Sequence, residues 1–210
     1  MRPATQRATP VPIARKRHGD CHVELRRFDP AHDSFDELTD MLHRSFARLG
    51  SMGLNCTCVD QPATVTRERA LRGACYIALC GGRIVATMTL YSRDPDSCCE
   101  LYRRDGVASI GQFAVDPAYQ DRGIGKLMLA LADHWAAIRG YAELALDTPQ
   151  PAAHLIAFYR RQGFRIAAFF RRPGKRYDSA ILSRPPKADR AFATWSRRIE
   201  AHHADMARAA

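Results

Sequence analysis

Two stretches of this chain place chemistry-bearing residues at informative spacings. The first is Gln120-Asp121-Arg122-Gly123-Ile124-Gly125-Lys126, set between the apolar run Phe113-Ala114-Val115 and an apolar segment from Leu127 to Ile138. A glycine-bearing turn that opens a helix leaves several backbone N–H groups unpaired and aimed one way, and the helix dipole adds positive potential. Such a turn suits a pyrophosphate, with a reactive group delivered to the strands beside it. A triphosphatase loop needs Gly-x-x-x-x-Gly-Lys followed by Ser or Thr, and Lys126 is followed by Leu127. A Rossmann fingerprint needs a third glycine in the first strand–helix turn, whereas Gly123-x-Gly125 comes late in the chain. The second stretch is Phe158-Tyr159-Arg160-Arg161-Gln162-Gly163-Phe164, which has the form of a helix end with a glycine stop and an apolar residue after it.

Other reactive residue types are less ordered. The chain has seven cysteines, with Cys56-x-Cys58 and Cys98-Cys99 as the close pairs, and no C-x-x-C spacing. That pattern speaks against a zinc site, so no metal is expected. The cysteines read as reduced thiols, with Cys75 and Cys80 as small core residues of an apolar strand. Asp147, at the end of a strand, reads as a base or as a cap of the next turn. His154 reads as an exposed histidine, and Glu100 and Asp105 as solvated loop acids. Tyr91 either lines an acceptor pocket or packs.

The hydrophobic pattern supplies the elements that must hold these residues. Val23 to Phe28 is predicted as a strand ended by Asp29-Pro30. Ser34-Phe35-Asp36-Glu37 has the form of a capping box. Phe35, Leu38, Leu42, Phe46 and Leu49 then recur at helical spacing up to Gly50. After a loop over Ser51 to Pro62, a short polar helix is predicted from Val65 to Arg72, closed by Gly73. Ala74 to Leu79 and Ile84 to Tyr91 flank Gly81-Gly82 as a hairpin. Ser92 to Asp105 reads as a long polar loop, and Val107 to Val115 as the strand before the glycine turn. The helix beyond the turn carries Ile124, Leu127, Leu131, Trp135 and Ile138 on one face and ends at Gly140. Tyr141 to Leu146 is almost wholly apolar, as a central strand buried on both faces would be. A helix from Ala152 to Gln162 follows, then strands Ile166 to Phe170 and Tyr177 to Leu182 around Arg172-Pro173-Gly174-Lys175. Ala188 to Met206 is predicted as a helix with Ala191, Phe192, Trp195 and Ile199 on one side, either docked on the same domain or forming a homodimer contact.

With 210 residues the chain is read as one domain, and 46% hydrophobic with 26% charged residues is ordinary for a globular protein. No apolar run approaches the roughly 18–20 residues that cross a bilayer. Met1 to Asp20 lacks the apolar core of a signal peptide, so the cytoplasm is the expected compartment. The net charge of +10 comes mostly from Arg. It suits a polyanion or a small phosphorylated ligand, and its scatter along the chain argues against a dedicated nucleic-acid binder. Residues 1–19 hold five Arg or Lys, three Pro and no acid, the composition of a disordered basic arm.

The order strand, two helices, three strands, Gln120-x-x-Gly123-x-Gly125, helix, strand and then Phe158 to Phe164 resembles the GNAT superfamily of acetyl-CoA-dependent N-acetyltransferases. The likeness covers about residues 22–183, and two motifs at the expected separation carry it. Asp147-Thr148 and the run His154 to Tyr159 resemble the bacterial small-GNAT pattern. The resemblance implies an α/β (α+β) fold. A mixed central sheet of about six to seven strands would splay in a V between strands 4 and 5, with helices on both faces. It implies residues 1–21 as the arm, 22–184 as the acetyltransferase domain and 185–210 as a helical extension. It also implies an acetyl-CoA site. The backbone of Phe113, Ala114 and Val115 would pair with the pantetheine arm. Gln120, Asp121, Arg122, Gly123, Ile124, Gly125 and Lys126 would hold the pyrophosphate, and Tyr159 would be the general acid for the leaving thiolate. The implied reaction is acetyl transfer to a primary amine of a small molecule or peptide, in a ternary complex. Two departures stand out: Ala152 occupies the place of a family Asn, and Gly111-Gln112 the place of a basic Glu. They leave open a catalytically weak acyl-CoA-sensing module, and the Arg-rich ends leave open an RNA- or ribosome-associated GNAT protein. No membrane partner is expected.

Overall fold

The computed structural model describes residues 10, 12–18, 21–187 and 192. One mixed sheet of eight strands forms the centre. In chain order its strands are β1 (Ala14–His18), β2 (Cys21–Arg27), β3 (Ala74–Cys80), β4 (Arg83–Tyr91), β5 (Val107–Val115), β6 (Glu143–Pro149), β7 (Arg165–Phe170) and β8 (Ser179–Arg184). Their spatial order is β1-β2-β3-β4-β5-β6-β8-β7, and β5 with β6 is the parallel pair among them. The helices are α1 (Phe35–Ser51), α2 (Thr57–Asp60), α3 (Ala63–Arg72), α4 (Glu100–Arg103), α5 (Ile124–Ala137) and α6 (Ala153–Arg161).

The expected layering is present, and β3 shows why. Tyr76 and Ala78 fall in one core cluster with Met128, Leu131 and Trp135 of α5. Cys75 and Ile77 fall in another with Leu38, Met41 and Leu42 of α1 and Ala70 of α3. Successive strand residues point to opposite faces, so helices cover the sheet on both sides.

The strand count exceeds the expected six to seven because the basic N-terminal segment contributes one. Ala14–His18 pairs antiparallel with β2, from Ala14↔Leu25 to His18↔Cys21. An open sheet edge offers backbone hydrogen bonds to any extended segment, whatever its side chains. The sheet thus begins before residue 22, inside the region read as an arm. The loop after α1 holds the short α2, and the loop after β4 holds α4. Cys80 is disulfide-bonded, where the sequence reads as a reduced core thiol. The helix predicted from Ala188 to Met206 lies outside the described residues except Phe192, whose buried ring is 6.0 Å from that of His134. No helix among the described residues is long and apolar enough to cross a membrane.

Local signals behave as their physics requires. Gly81 and Gly82 take φ of 58° and 79°, the left-handed pair that lets a two-residue turn join β3 to β4. Ser34 caps α1 by accepting from the Asp36 and Glu37 N–H groups. Glu37 does not complete a capping box: its Oε1 accepts from the Ile84 N–H at 2.8 Å and ties α1 to β4. Glu37→Ala is expected to lower stability by about 1–2 kcal/mol in urea titrations, with most of it recovered in Glu37→Gln.

Candidate active site

The sheet opens between β5 and β6. The two strands pair from Val107↔Glu143 to Ile110↔Leu146 and no further. Beyond that point β5 follows β4, while Asp147, Thr148 and Pro149 of β6 follow β8. The parting leaves backbone edges of both strands facing a cleft of about 1200 Å³. A bulge marks the start of the parting. Thr89 pairs with Gly111 and Thr87 with Ala114, so two residues of β5 oppose one of β4. Gln112 takes φ +47° there, a left-handed conformation costly for a residue with a side chain.

Downstream, Asp116 fixes the strand end. Its side chain accepts from the Ala118 N–H at 3.0 Å and from Arg44 Nε of α1 at 2.9 Å. The chain then turns through two left-handed residues, Asp121 (φ 58°) and Gly123 (φ 82°), into α5. Its N-cap residue, Gly123, makes no side-chain hydrogen bond, so the Ile124, Gly125 and Lys126 N–H groups of the first turn lack a side-chain cap. A Cβ on Gly125 would stand 3.6 Å from Phe158, 3.7 Å from Val115 and 3.9 Å from Phe113. The turn therefore packs against both the end of β5 and α6.

Five predicted residues line the cleft: Phe113, Ala114, Val115, Gln120 and Tyr159. The others lie at the turn, and several side chains differ from expectation. Ile124 is buried in the α5 core, so only its backbone could meet a ligand. The Ala114 side chain packs toward α1, again leaving backbone alone. Gln120 turns back to donate to the Val115 carbonyl at 3.0 Å. Arg122 donates to the Ala118 carbonyl at 3.1 Å and lies over the Tyr119 ring. Asp121 and Lys126 are exposed.

Tyr159 is nearly enclosed, with its ring beside Phe113, Phe158 and Phe164 at centroid distances of 6.3, 5.3 and 6.0 Å. No group among the described residues hydrogen-bonds its hydroxyl. Burial, then the Asp147 charge, pushes the phenol well above the ordinary tyrosine value, so it stays protonated. Asp147 itself caps no turn. Its Oδ1 accepts from Tyr102 Oη at 3.1 Å and from Arg172 Nη2 at 2.9 Å, which leaves it poorly placed to be a free base. His154 is half-buried on the cleft wall rather than exposed, and burial followed by the Arg48 charge holds its pKa below the ordinary histidine value. Ala152 is fully buried among Leu49, Leu54, Cys56 and Tyr177, a packing position. Three buried polar atoms on cleft residues have no partner among the described residues: Gln112 Nε2 on the β5 arm, Thr148 Oγ1 on the β6 arm and Trp135 Nε1 of α5. Parted strand edges and orphaned polar atoms thus share the cleft wall, with the uncapped helix start beyond Gln120.

Sequence reasoning missed what surrounds Gly111. A Cβ there would stand 2.7 Å from Tyr91 Cε2, so glycine is required where the Tyr91 ring lies over β5. It also missed the Asp147–Tyr102–Arg172 cluster, whose members are far apart in the chain.

Comparison with known proteins agrees with this fold. The family described as "Acetyltransferase (GNAT) family" matches residues 37–164. S-(2-succino)cysteine N-acetyltransferase of Bacillus subtilis (strain 168) is 25% identical over 135 residues, 61% of this chain and 77% of that protein. The ribosomal-protein-S18-alanine N-acetyltransferase of Escherichia coli superposes with a TM-score of 0.58 at 19% identity, over 79% of this chain and 94% of that one. A Bacillus subtilis acetyltransferase in complex with CoA superposes with a TM-score of 0.55 at 20% identity, over 78% and 98%.

Proposed function

This chain belongs to the GNAT family of acetyltransferases, and from that premise we propose that it moves the acetyl group of acetyl-CoA directly to a primary amine of a small molecule or peptide, both substrates being bound together. The supporting observation is that one cleft is lined by both parted strands and by Tyr159, with Gln120, at the turn before the uncapped start of α5, also on its wall. The Bacillus subtilis relative is named for a small amino-acid acceptor, which favours a small-molecule amine.

Acetyl-CoA supplies the activated thioester. The first-turn N–H groups of α5 take the pyrophosphate, and glycine at 123 and 125 keeps the backbone accessible to it. The free edge of β5 from Phe113 to Val115 pairs with the amides of the pantetheine arm. A β5 N–H donates to the carbonyl oxygen as charge develops on it. The amine nitrogen bonds to the carbonyl carbon as the carbon–sulfur bond breaks. Tyr159 protonates the departing sulfur, the nitrogen sheds a proton to water, and Tyr159 regains its own from water. Gln112 stands where the family resemblance puts a basic Glu, and an amide cannot usefully accept a proton, so the amine enters in its neutral form.

Calorimetric titration of acetyl-CoA is expected to show binding between about 1 µM and 1 mM. Chromatographic assay over a panel of amines is expected to show one free CoA released per amine acetylated. Absence of acetyl-CoA binding sinks this reading. Binding without turnover on any amine would identify an acyl-CoA-binding module instead.

A further inference from the structure

The cleft is strongly asymmetric in charge: nine Arg or Lys side chains line it against two Asp, and Asp147 is already held by Arg172. Arg44 and Arg93 also have carboxylate partners, Asp116 and Asp105. Arg48, Arg69, Arg72 and Lys175 have none among the described residues. Arg69 Nη1 is satisfied by neutral groups, donating to Gln61 Oε1 at 2.7 Å and Cys58 Sγ at 3.2 Å. Lys175 Nζ donates to the Asn55 carbonyl at 2.6 Å and Thr57 Oγ1 at 3.1 Å.

The phosphates of CoA do not account for all of these cations. Arg72 lies over the Tyr91 ring at 4.9 Å, the Tyr91 hydroxyl donates to the Arg69 carbonyl at 3.0 Å, and the same ring covers Gly111. Tyr91 pairs with Ser109 at the start of β5, six residues before Val115. That is roughly 20 Å of strand from the phosphate turn. Gln112 points to the same face of the sheet, because its Oε1 accepts from Thr89 Oγ1 at 3.3 Å. Its Nε2 is the orphaned donor, on a residue 4% exposed. Beyond the bulge, then, the side of the cleft facing α3 presents the cations Arg69 and Arg72 and the Gln112 donor, and the second cleft carboxylate, Asp94, follows the end of β4.

We propose that this face is the acceptor subsite and that it selects an amine carried close to a carboxylate, as in an amino acid or amino-acid conjugate, with Arg72, Arg69 and the Gln112 amide receiving the carboxylate. This rests on the acetyl-transfer reading above. The same positive field disfavours the ammonium form of the bound acceptor. It thereby helps to supply the neutral amine, and it repels polycationic peptides.

The test uses the full chain with and without saturating CoA, and three probes: succinate, uncharged succinamide and inorganic phosphate. Succinate is expected to raise the melting midpoint and to compete with acceptor amines, with succinamide inert and phosphate weaker. Arg72→Gln should weaken succinate binding about tenfold, Arg72→Lys should restore part of it, and the acetyl-CoA affinity of both should move less than twofold. Among acceptors, S-carboxymethylcysteine should exceed its carboxamidomethyl analogue in kcat/KM, and Arg72→Gln should shrink that ratio. Equal response to succinate and succinamide, phosphate outranking succinate, no response to any probe, or an unchanged Arg72→Gln variant each overturns the proposal. Failure of acetyl-CoA to bind is a separate result and strikes the acetyl-transfer reading instead.

Discussion

Gly123→Glu is expected to weaken acetyl-CoA binding at least about 100-fold, or roughly 2.7 kcal/mol. Two effects combine. Gly123 has φ 82°, where a side chain clashes with the backbone at a cost of roughly 1–2 kcal/mol. Relieving that strain turns the uncapped N–H groups away from the ligand. The new carboxylate also stands at the positive end of α5, where it repels a pyrophosphate and competes for the same donors. Gly123→Ala carries the strain without the charge and should lose roughly tenfold. Both variants should unfold cooperatively in urea, destabilised by about 1–2 kcal/mol. The deciding measurement is calorimetric titration of acetyl-CoA. A Gly123→Glu protein that binds as tightly as the unaltered one removes the turn from the site.

Tyr159→Phe is expected to lower kcat by about 10²–10⁴ while the KM for acetyl-CoA changes little. The structure separates the two jobs of this residue. Its ring packs among Phe113, Phe158 and Phe164, and phenylalanine keeps those contacts. Its hydroxyl has no protein partner among the described residues, so removing it should cost little stability. A tyrosine that only anchors α6 would show the opposite pattern, with small losses in stability and none in rate. The pH dependence follows from the direction of the shift. Burial raises the phenol pKa, so the proton-bearing form persists through alkaline pH, and kcat should show no fall from this group between about pH 8 and 10. A rate within threefold of the unaltered enzyme would assign the proton transfer elsewhere.

Much of the fold was legible because its signals are local. The spacing of Phe35, Leu38 and Leu42 announces α1, Gly81-Gly82 announces the β3–β4 turn, and the apolar run before Asp116 announces β5. Each depends on residues a few positions apart. What failed was pairing across distance. The segment Ala14–His18 has the composition of a solvated arm and becomes a strand because β2 offers it an edge. Glu37 has capping-box spacing but finds the Ile84 N–H 47 residues away. Asp147 has cap-like placement but meets Arg172 and Tyr102. A side chain with a long-range partner of higher charge or better geometry takes it over the local one, and adjacent sequence carries no record of that partner.

The candidate site divides along the same line. By itself the sequence marked the turn proposed to bind an anion, since a left-handed position just before a helix start is written in Gly123. It also determined the family, through that turn and the run from Phe158 to Phe164. The acceptor face was decided by tertiary structure alone. Tyr91, Gly111, Arg72 and Gln112 come from three elements, and only sheet register lays one ring over one glycine and brings the unpaired cations to the same wall. The reason is physical: a helix-start anion site is made by consecutive backbone groups, whereas a charge-selective pocket is made by side chains that meet only after the sheet has closed around them.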